Sequence, residues 1–120
     1  MKRILVVEDN ETNMYLVCYI LRKNNLEVIE ARSGEEGVML AIREKPDLIL
    51  MDIQLPGIDG VEATKRITES EEACKIPIVA FTSYAMTGDK ERLCSAGCSG
   101  YLEKPINPET FMTYIEKYLR

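Results

Sequence analysis

Short runs of apolar residues alternate with helix-like segments five times along the chain, and this alternation limits the possible folds more than any other feature. Three runs, Ile4–Val7, Leu48–Met51 and Ile78–Phe81, contain only apolar residues. Unbroken runs of this kind are typical of strands that are covered on both faces in a parallel sheet. Two more runs, Leu26–Ala31 and Gly100–Glu103, include charged residues, as edge strands do. The pattern predicts three central strands and two edge strands.

The segments between these runs carry the spacing and the end signals of helices. The first helix is predicted to bury a stripe that consists of Met14, Val17, Cys18 and Leu21. Ser33 and Asp59 each stand three residues before a glutamate, which is the spacing of a capping box. Asn107 offers a capping side chain before Pro108 at the first helical position. Gly97 is predicted to end the fourth helix.

Five strand–helix repeats imply an α/β sandwich of three layers with right-handed crossovers. With the second and fifth strands at the edges, the predicted fold is flavodoxin-like: a doubly wound (βα)5 sandwich with parallel strand order 2-1-3-4-5. Residues 1–120 are predicted to form one domain, with neither linker nor repeat. In this fold, ligands bind at the carboxyl ends of the strands, near the switch point between strands one and three.

Polar side chains follow four of the predicted strands. They are Glu8 and Asp9 after the first, Asp52 after the third, Thr82 after the fourth and Lys104 after the fifth. Because parallel strands end at one edge of the sheet, these side chains are expected to converge. Carboxylates about 4 Å apart repel by roughly 4 kcal/mol at an effective dielectric of 20, so the cluster must bind protons or a cation. Oxygen ligands favour Mg²⁺, with Mn²⁺ as an alternative. Each acidic residue taken alone is better explained as a cap of a strand or a helix. The alignment of all these side chains at one edge of the sheet favours a binding site.

An aspartate beside a divalent ion can attack an activated phosphorus and become an acyl phosphate. A lysine such as Lys104 can pair with a phosphoryl oxygen, and the hydroxyl of Thr82 can donate a hydrogen bond to another. Movement of Thr82 toward the phosphoryl group would vacate space that Tyr101 can occupy. A local change of charge would then become a change of surface.

Composition excludes several other functions. The chain has no histidine, so it cannot contain a triad or a general base built on histidine. Its net charge of −5 argues against a general nucleic-acid binder, which needs a basic surface. No apolar run is long enough for a membrane span, and the predicted compartment is the cytoplasm. The four cysteines lack a C-x-x-C pair and are predicted to be buried or half-buried free thiols.

Over essentially its whole length the chain resembles the receiver domains of two-component response regulators. The resemblance is carried, in order, by residues 5–10 (LVVEDN), 47–52 (DLILMD), 55–57 (LPG), 80–83 (AFTS) and 101–105 (YLEKP). Residues 51–56 and 83–89 are similar to those of a single-domain regulator of cell division, and also to receivers fused to hybrid histidine kinases. The resemblance implies a phosphorelay response regulator. Such a protein is a signalling switch rather than an enzyme, because it catalyses only its own phosphotransfer and dephosphorylation.

The resemblance also implies a metal site. Asp52 would accept the phosphoryl group from a phosphohistidine, and Asp9 and Asp52 would ligate Mg²⁺ directly. The main-chain carbonyl of Gln54 would be a third protein ligand, and Glu8 would act mainly through water.

Three further positions receive roles in switching. Lys104 would pair with the phosphoryl group, Thr82 would be the switch hydroxyl, and Tyr101 would be the aromatic switch residue. The peptide bond between Lys104 and Pro105 is expected to be cis.

The resemblance implies two kinds of protein partner and neither nucleic acid nor membrane. The upstream partner would be a histidine kinase or a histidine phosphotransfer protein that docks near the first helix, where Tyr15, Leu16 and Tyr19 lie off the buried stripe. The downstream target is a protein that the sequence does not identify. It would bind the face formed by the fourth helix, fifth strand and fifth helix. Tyr114 and Tyr118 either contribute to this face or, as is more usual for aromatic residues at helical spacing, pack against the sheet.

Three other functions remain open at this point. An aspartate-dependent phosphatase on a related fold would carry a D-x-D motif after the first strand, where this chain has Glu8-Asp9-Asn10-Glu11. A flavin- or nucleotide-binding module would offer glycines and hydroxyls there instead of carboxylates. A degenerate receiver would serve only for protein contacts, but the complete set of Asp9, Asp52, Thr82 and Lys104 speaks against it.

Overall fold

The apolar runs form one parallel sheet of five strands. The computed structural model describes residues 1–82, 87–103 and 107–119, together with their side chains except those of residues 82, 87–90 and 93. The strands are β1 (Arg3–Val7), β2 (Glu27–Ala31), β3 (Leu48–Asp52), β4 (Ile78–Thr82) and β5 (Gly100–Glu103). They lie side by side in the order β2-β1-β3-β4-β5, and every neighbouring pair is parallel. The predicted flavodoxin-like fold and strand order are confirmed.

Helices connect the strands, and side-chain caps mark the start of several of them. The helices are α1 (Glu11–Lys23), α2 (Gly34–Glu44), α3 (Gly60–Thr68), α4 (Thr87–Ala96) and α5 (Pro108–Glu116). The predicted caps Ser33, Asp59 and Asn107 each accept a hydrogen bond from a main-chain N–H in the first helical turn. Gly97 follows α4 with φ of 111°, a conformation that glycine adopts without strain.

The sheet is covered on both faces, which explains why its central strands are uniformly apolar. Ile4 and Val6 pack in one core with α1 and α5, whereas Leu5 and Val7 pack in a second core with α2 and α3. All five residues of β3 are buried. The edge strand β2 is only partly covered, with Glu27 and Glu30 exposed. The layers therefore hold the carboxyl ends of β1 and β3 rigidly side by side.

The predicted stripe of α1 is buried, and Ile20 joins it. Tyr15, Leu16 and Tyr19 are exposed, as predicted from their position off the stripe. No helix within the described ranges is both long enough and apolar enough to cross a membrane.

All four cysteines are free thiols, but the prediction of their burial was only half right. Cys18 is buried and Cys98 is half-buried, whereas Cys74 and Cys94 are exposed. Cys74 lies in the turn between α3 and β4, and Cys94 lies on the outer side of α4, where no apolar layer covers them.

Candidate functional site

The predicted acidic residues meet where β1 and β3 end. The register of these strands pairs Val7 with Met51, so Glu8 and Asp52 are the next residues on adjacent strands. The Glu8 main-chain N–H donates to the Ala31 carbonyl at 3.0 Å, which anchors Glu8 to β2 as well. On its other side, Asp52 pairs with Phe81 of β4. The site thus lies at the switch point of the sheet, where the fold predicts a ligand.

Three carboxylates form a cluster at this point. One oxygen each from Glu8, Asp9 and Asp52 lies within 4.8 Å of the others. Glu8 is fully buried and Asp52 is only 4% exposed, whereas Asp9 is exposed. At an effective dielectric of about 20, charges at this separation repel by roughly 3 to 4 kcal/mol per pair. A divalent cation relieves this repulsion, and a set of carboxylate oxygens fits a hard ion such as Mg²⁺.

Main-chain donors hold the two buried carboxylates in place. The Asn10 N–H donates to Glu8 Oε1 at 3.1 Å, and the Gln54 N–H donates to Asp52 Oδ1 at 3.3 Å. Asn10 is also the N-cap of α1, because its side chain accepts from the Asn13 N–H at 2.9 Å. The positive end of the α1 dipole therefore lies beside the cluster. These dipoles orient the carboxylates and only partly offset their charge.

The segment after β3 folds back onto Asp52. The Gly60 N–H donates to the Ile53 carbonyl at 2.8 Å, and α3 begins at Gly60 with Asp59 as its cap. A Cβ atom at position 60 would lie 2.1 Å from the Asp52 carbonyl oxygen. Only glycine permits this approach, so the start of α3 packs directly against the main chain of the central acidic residue.

The structure describes only part of the remaining predicted site residues, Thr82, Tyr101 and Lys104. Thr82 is the last residue of β4 and pairs with Glu103, so its main chain lies one position beyond the neighbour of Asp52; its side chain is outside the described part. Lys104 and Pro105, with the peptide bond between them, lie outside the described residues. The half-buried Tyr101 packs against a small cluster formed by Ile53 and Ala80.

Two residues of the site were not predicted from the sequence. Asn10 was quoted in the motif of residues 5–10 but was given no role as a cap, although an asparagine directly before a helical stripe is a recognisable N-cap signal. Gly60 was not predicted to belong to the site either. It directly follows the cap Asp59, and a glycine at the start of a helix does not by itself indicate a close contact with the main chain of Asp52. Asp59 additionally forms an exposed ion pair with Arg92 at 3.7 Å, which ties the start of α3 to α4.

Comparison with known sequences gives one consistent family. Residues 4–116 match the response regulator receiver domain. The chain is 46% identical over 118 residues to the polar-differentiation response regulator DivK of Brucella ovis, covering 98% of this chain and 96% of that protein. The protein of the same name from Brucella anthropi is 44% identical over the same length. The predicted similarity to a single-domain regulator is confirmed.

Solved structures give the same result for the fold. The chain superposes with a TM-score of 0.92 and 35% identity on the receiver domain of the sensor histidine kinase PA1611 from Pseudomonas aeruginosa, covering 98% of this chain and 97% of that one. That structure has a magnesium ion coordinated in its active-site cleft. The chemotaxis protein CheY4 of Vibrio cholerae gives a TM-score of 0.94 at 28% identity and covers 99% of both chains.

Proposed function

The chain belongs to the response regulator receiver domain family and is a two-component response regulator, and from this premise we propose that Asp52 is the residue that accepts the phosphoryl group. The observation that carries the proposal is the convergence of three carboxylates on the end of the central strand. Among them, Asp52 is buried at the junction of β1, β3 and β4. Glu8 is buried beside Asp52, and Asp9 faces solvent. Both carboxylates are therefore placed to help bind a metal ion next to Asp52.

Glu8, Asp9 and Asp52 would hold a divalent cation, either Mg²⁺ or its chemical substitute Mn²⁺, with the carbonyl of Gln54 as a further ligand. The donor set is composed of oxygen atoms, and the receiver domain of PA1611 coordinates magnesium in its cleft. When bound, the ion neutralises the carboxylates and the charge on the transferring phosphoryl group.

The residues of the chain position the transfer. A carboxylate oxygen of Asp52 attacks the phosphorus of a phosphohistidine; the new P–O bond forms as the P–N bond breaks, and the imidazole nitrogen keeps the electron pair. The Gln54 N–H fixes Asp52 Oδ1 at 3.3 Å and so orients the carboxylate. Lys104 would pair with the phosphoryl oxygens and Thr82 would donate to one of them.

Reversal of the switch uses the same residues. Water attacks the phosphorus, the bond between phosphorus and the Asp52 oxygen breaks, inorganic phosphate is released and the carboxylate is restored. The domain thus catalyses only its own phosphorylation and dephosphorylation.

The proposal extends to partners and location. A histidine kinase or a histidine phosphotransfer protein would dock beside α1, where Tyr15, Leu16 and Tyr19 are exposed. Tyr101 would act as the aromatic switch residue and a protein target would read the change. We propose that residues 1–120 act as one receiver domain in the cytoplasm, a reducing compartment that suits four free thiols.

Intact-protein mass spectrometry after incubation with acetyl phosphate tests the proposal. Wild type should gain one phosphoryl group in Mg²⁺ and none in EDTA, and Asp52→Asn should gain none. Asp47→Asn is the matched control, since Asp47 precedes the opposite end of β3, where its exposed carboxylate accepts a hydrogen bond from the Arg3 N–H at 2.8 Å. No adduct on wild type, beside a receiver that does label, would indicate a degenerate receiver that acts through protein contacts alone.

A further inference from the structure

Two tyrosine hydroxyls, one on α5 and one just after it, contact the main chain at the start of β5 and at the residue before it. The Tyr114 hydroxyl accepts a hydrogen bond from the Tyr101 N–H at 2.9 Å. The Tyr118 hydroxyl donates to the Ser99 carbonyl at 3.1 Å. The two hydroxyl oxygens lie 3.4 Å apart, so they form one continuous polar contact between helix and strand. We call this set of four residues the tyrosine clamp.

Gly100 makes the clamp possible. A Cβ atom at this position would lie 2.4 Å from the Tyr118 hydroxyl oxygen and 2.7 Å from that of Tyr114. Both distances are shorter than a van der Waals contact, so any side chain at position 100 would push the two phenols away from the strand. A glycine between Ser99 and Tyr101 therefore leaves the space that the clamp fills.

The Tyr118 hydroxyl stays protonated over the physiological range. The hydrogen bond that the Tyr118 hydroxyl donates to Tyr114, together with burial, raises the pKa of Tyr118 to about 12. Lys117 lies over both rings, with its Nζ 4.1 Å from the ring centroid of Tyr114 and 5.5 Å from that of Tyr118. This cation–π contact holds the rings from the solvent side. The buried residues Phe111 and Ile115 anchor the same helix to the sheet.

Tyr101 is consequently held from two sides. Its side chain packs against Ile53 and Ala80, and Ile53 directly follows Asp52. Its main-chain N–H is bonded to Tyr114 on α5. One residue thus contacts both the segment that leaves the acidic site and the fifth helix.

We propose that Tyr114 is a positioning residue that ties the main chain of β5 at Tyr101 to α5, so that a movement of Tyr101 on phosphorylation displaces the exposed face of α5. This inference rests on the proposed function, in which Tyr101 is the switch residue. It adds the mechanical link by which a change at Asp52 reaches the surface of the fifth helix.

The test compares Tyr114→Phe with wild type by amide hydrogen exchange and by amide chemical shifts, before and after phosphorylation with acetyl phosphate and Mg²⁺. Phenylalanine keeps the ring and removes only the acceptor. Exchange of the Tyr101 amide should become about tenfold faster, in line with the loss of one hydrogen bond. The shifts of residues 109–118 on phosphorylation should fall to roughly half or less of their wild-type size, while phosphorylation itself is unchanged. Thr113→Ala, which removes an exposed hydroxyl of α5 that donates within the helix to the Glu109 carbonyl, is the control and should match wild type in both measurements.

The outcomes separate the inference from the function it rests on. If wild type labels but residues 109–118 respond equally in Tyr114→Phe, the link is wrong and the proposed function stands. If wild type does not label, the proposed function fails and the link fails with it. Should Tyr114→Phe not fold, Gly100→Ala makes the test instead, because its Cβ would displace the Tyr114 hydroxyl from the Tyr101 N–H. Gly100→Ala, which displaces both hydroxyls, should also weaken the response of α5.

Discussion

Glu8 and Asp52 lie side by side on adjacent parallel strands, each one residue beyond the pair Val7 and Met51. Both side chains are buried, and a third carboxylate, that of Asp9, reaches the same point from the solvent side. Burial of neighbouring negative charges destabilises the fold unless a cation or a proton offsets them. The position of Glu8 next to Asp52 therefore links the stability of the domain to metal binding.

Mg²⁺ should stabilise the folded protein through this cluster. At a concentration one hundred times the Kd, the gain in the free energy of unfolding is about 2.7 kcal/mol, enough to raise Tm by several degrees. Asp9→Asn and Asp52→Asn should lose most of this gain, and Asp47→Asn should keep it. Thermal unfolding in Mg²⁺ and in EDTA measures the difference. An equal rise of Tm in all four proteins would place the metal elsewhere.

Removal of one charge should stabilise the metal-free protein. In EDTA, Glu8→Gln removes repulsion from Asp52 and Asp9, and its free energy of unfolding should exceed that of wild type. In Mg²⁺ the order should reverse, because the variant has lost a negative charge that favours the ion. Urea denaturation in EDTA and in Mg²⁺ measures whether the order of stability of the two proteins reverses. If Glu8→Gln is the less stable protein in EDTA, the hydrogen bond from Asn10 outweighs the repulsion.

The arrangement of the strands could be predicted because the central runs are apolar without interruption. Burial on both faces leaves no other place for a run such as Leu48–Met51, and charge in the second and fifth runs identified the edges. The acidic cluster followed from this order, since parallel strands end at one edge. Caps such as Ser33 and Asp59 were predictable because they depend on local hydrogen bonds.

Contacts between distant segments could not be predicted in the same way. The approach of Gly60 to the Asp52 carbonyl depends on the path of the loop between β3 and α3. A glycine at the start of a helix does not indicate this contact. The tyrosine clamp requires Gly100 to face Tyr114 and Tyr118 across two elements, and the sequence left open whether these tyrosines pack or project. The exposure of Cys74 similarly depends on the turn that carries it.

Gly60→Ala should destabilise the domain and slow its phosphorylation. The new Cβ meets main-chain atoms of Asp52 and Ile53, which cannot rotate away, so a loss of about 1 to 3 kcal/mol is expected. Gly37→Ala is the comparison, because the nearest atoms to its Cβ belong to the side chain of Val7, with one methyl at 2.8 Å, and the substitution should cost less. Urea denaturation gives the stabilities, and the rate of labelling by acetyl phosphate gives the effect on Asp52. Equal losses in both variants would contradict the close contact.

Asn10→Ala should lower the free energy of unfolding by about 1 kcal/mol, the usual value of an N-cap. The side chain of Asn10 accepts from the Asn13 N–H, so its loss frays the start of α1 beside Glu8. Asn10→Asp keeps the acceptor and should restore the cap, but its added negative charge should make stability depend more strongly on Mg²⁺. Urea titrations of the two variants in EDTA and in Mg²⁺ distinguish these effects; identical behaviour would argue that the cap has no part in the site.

Stability should fall as the pH rises from about 9 to 11. Burial raises the pKa of the Cys98 thiol to about 11, above its ordinary value of 9.0 in the unfolded chain. The folded state therefore holds this proton more tightly, and its contribution is complete below pH 9 and lost as the pH passes 11. A shift of this size corresponds to at most about 2.7 kcal/mol. Cys98→Ala should flatten the pH dependence measured by urea denaturation, whereas the exposed Cys74→Ala should leave it unchanged.

The central claim is that Asp52 carries the phosphoryl group, and the most direct measurement locates that group in the chain. Protein labelled with acetyl phosphate in Mg²⁺ is reduced with borohydride, which converts an aspartyl phosphate to homoserine, and is then digested and sequenced by tandem mass spectrometry. We predict homoserine at position 52 and unmodified residues at positions 8 and 9. Homoserine at position 9, or a phosphoryl group on a residue outside the acidic cluster, would contradict the proposed mechanism.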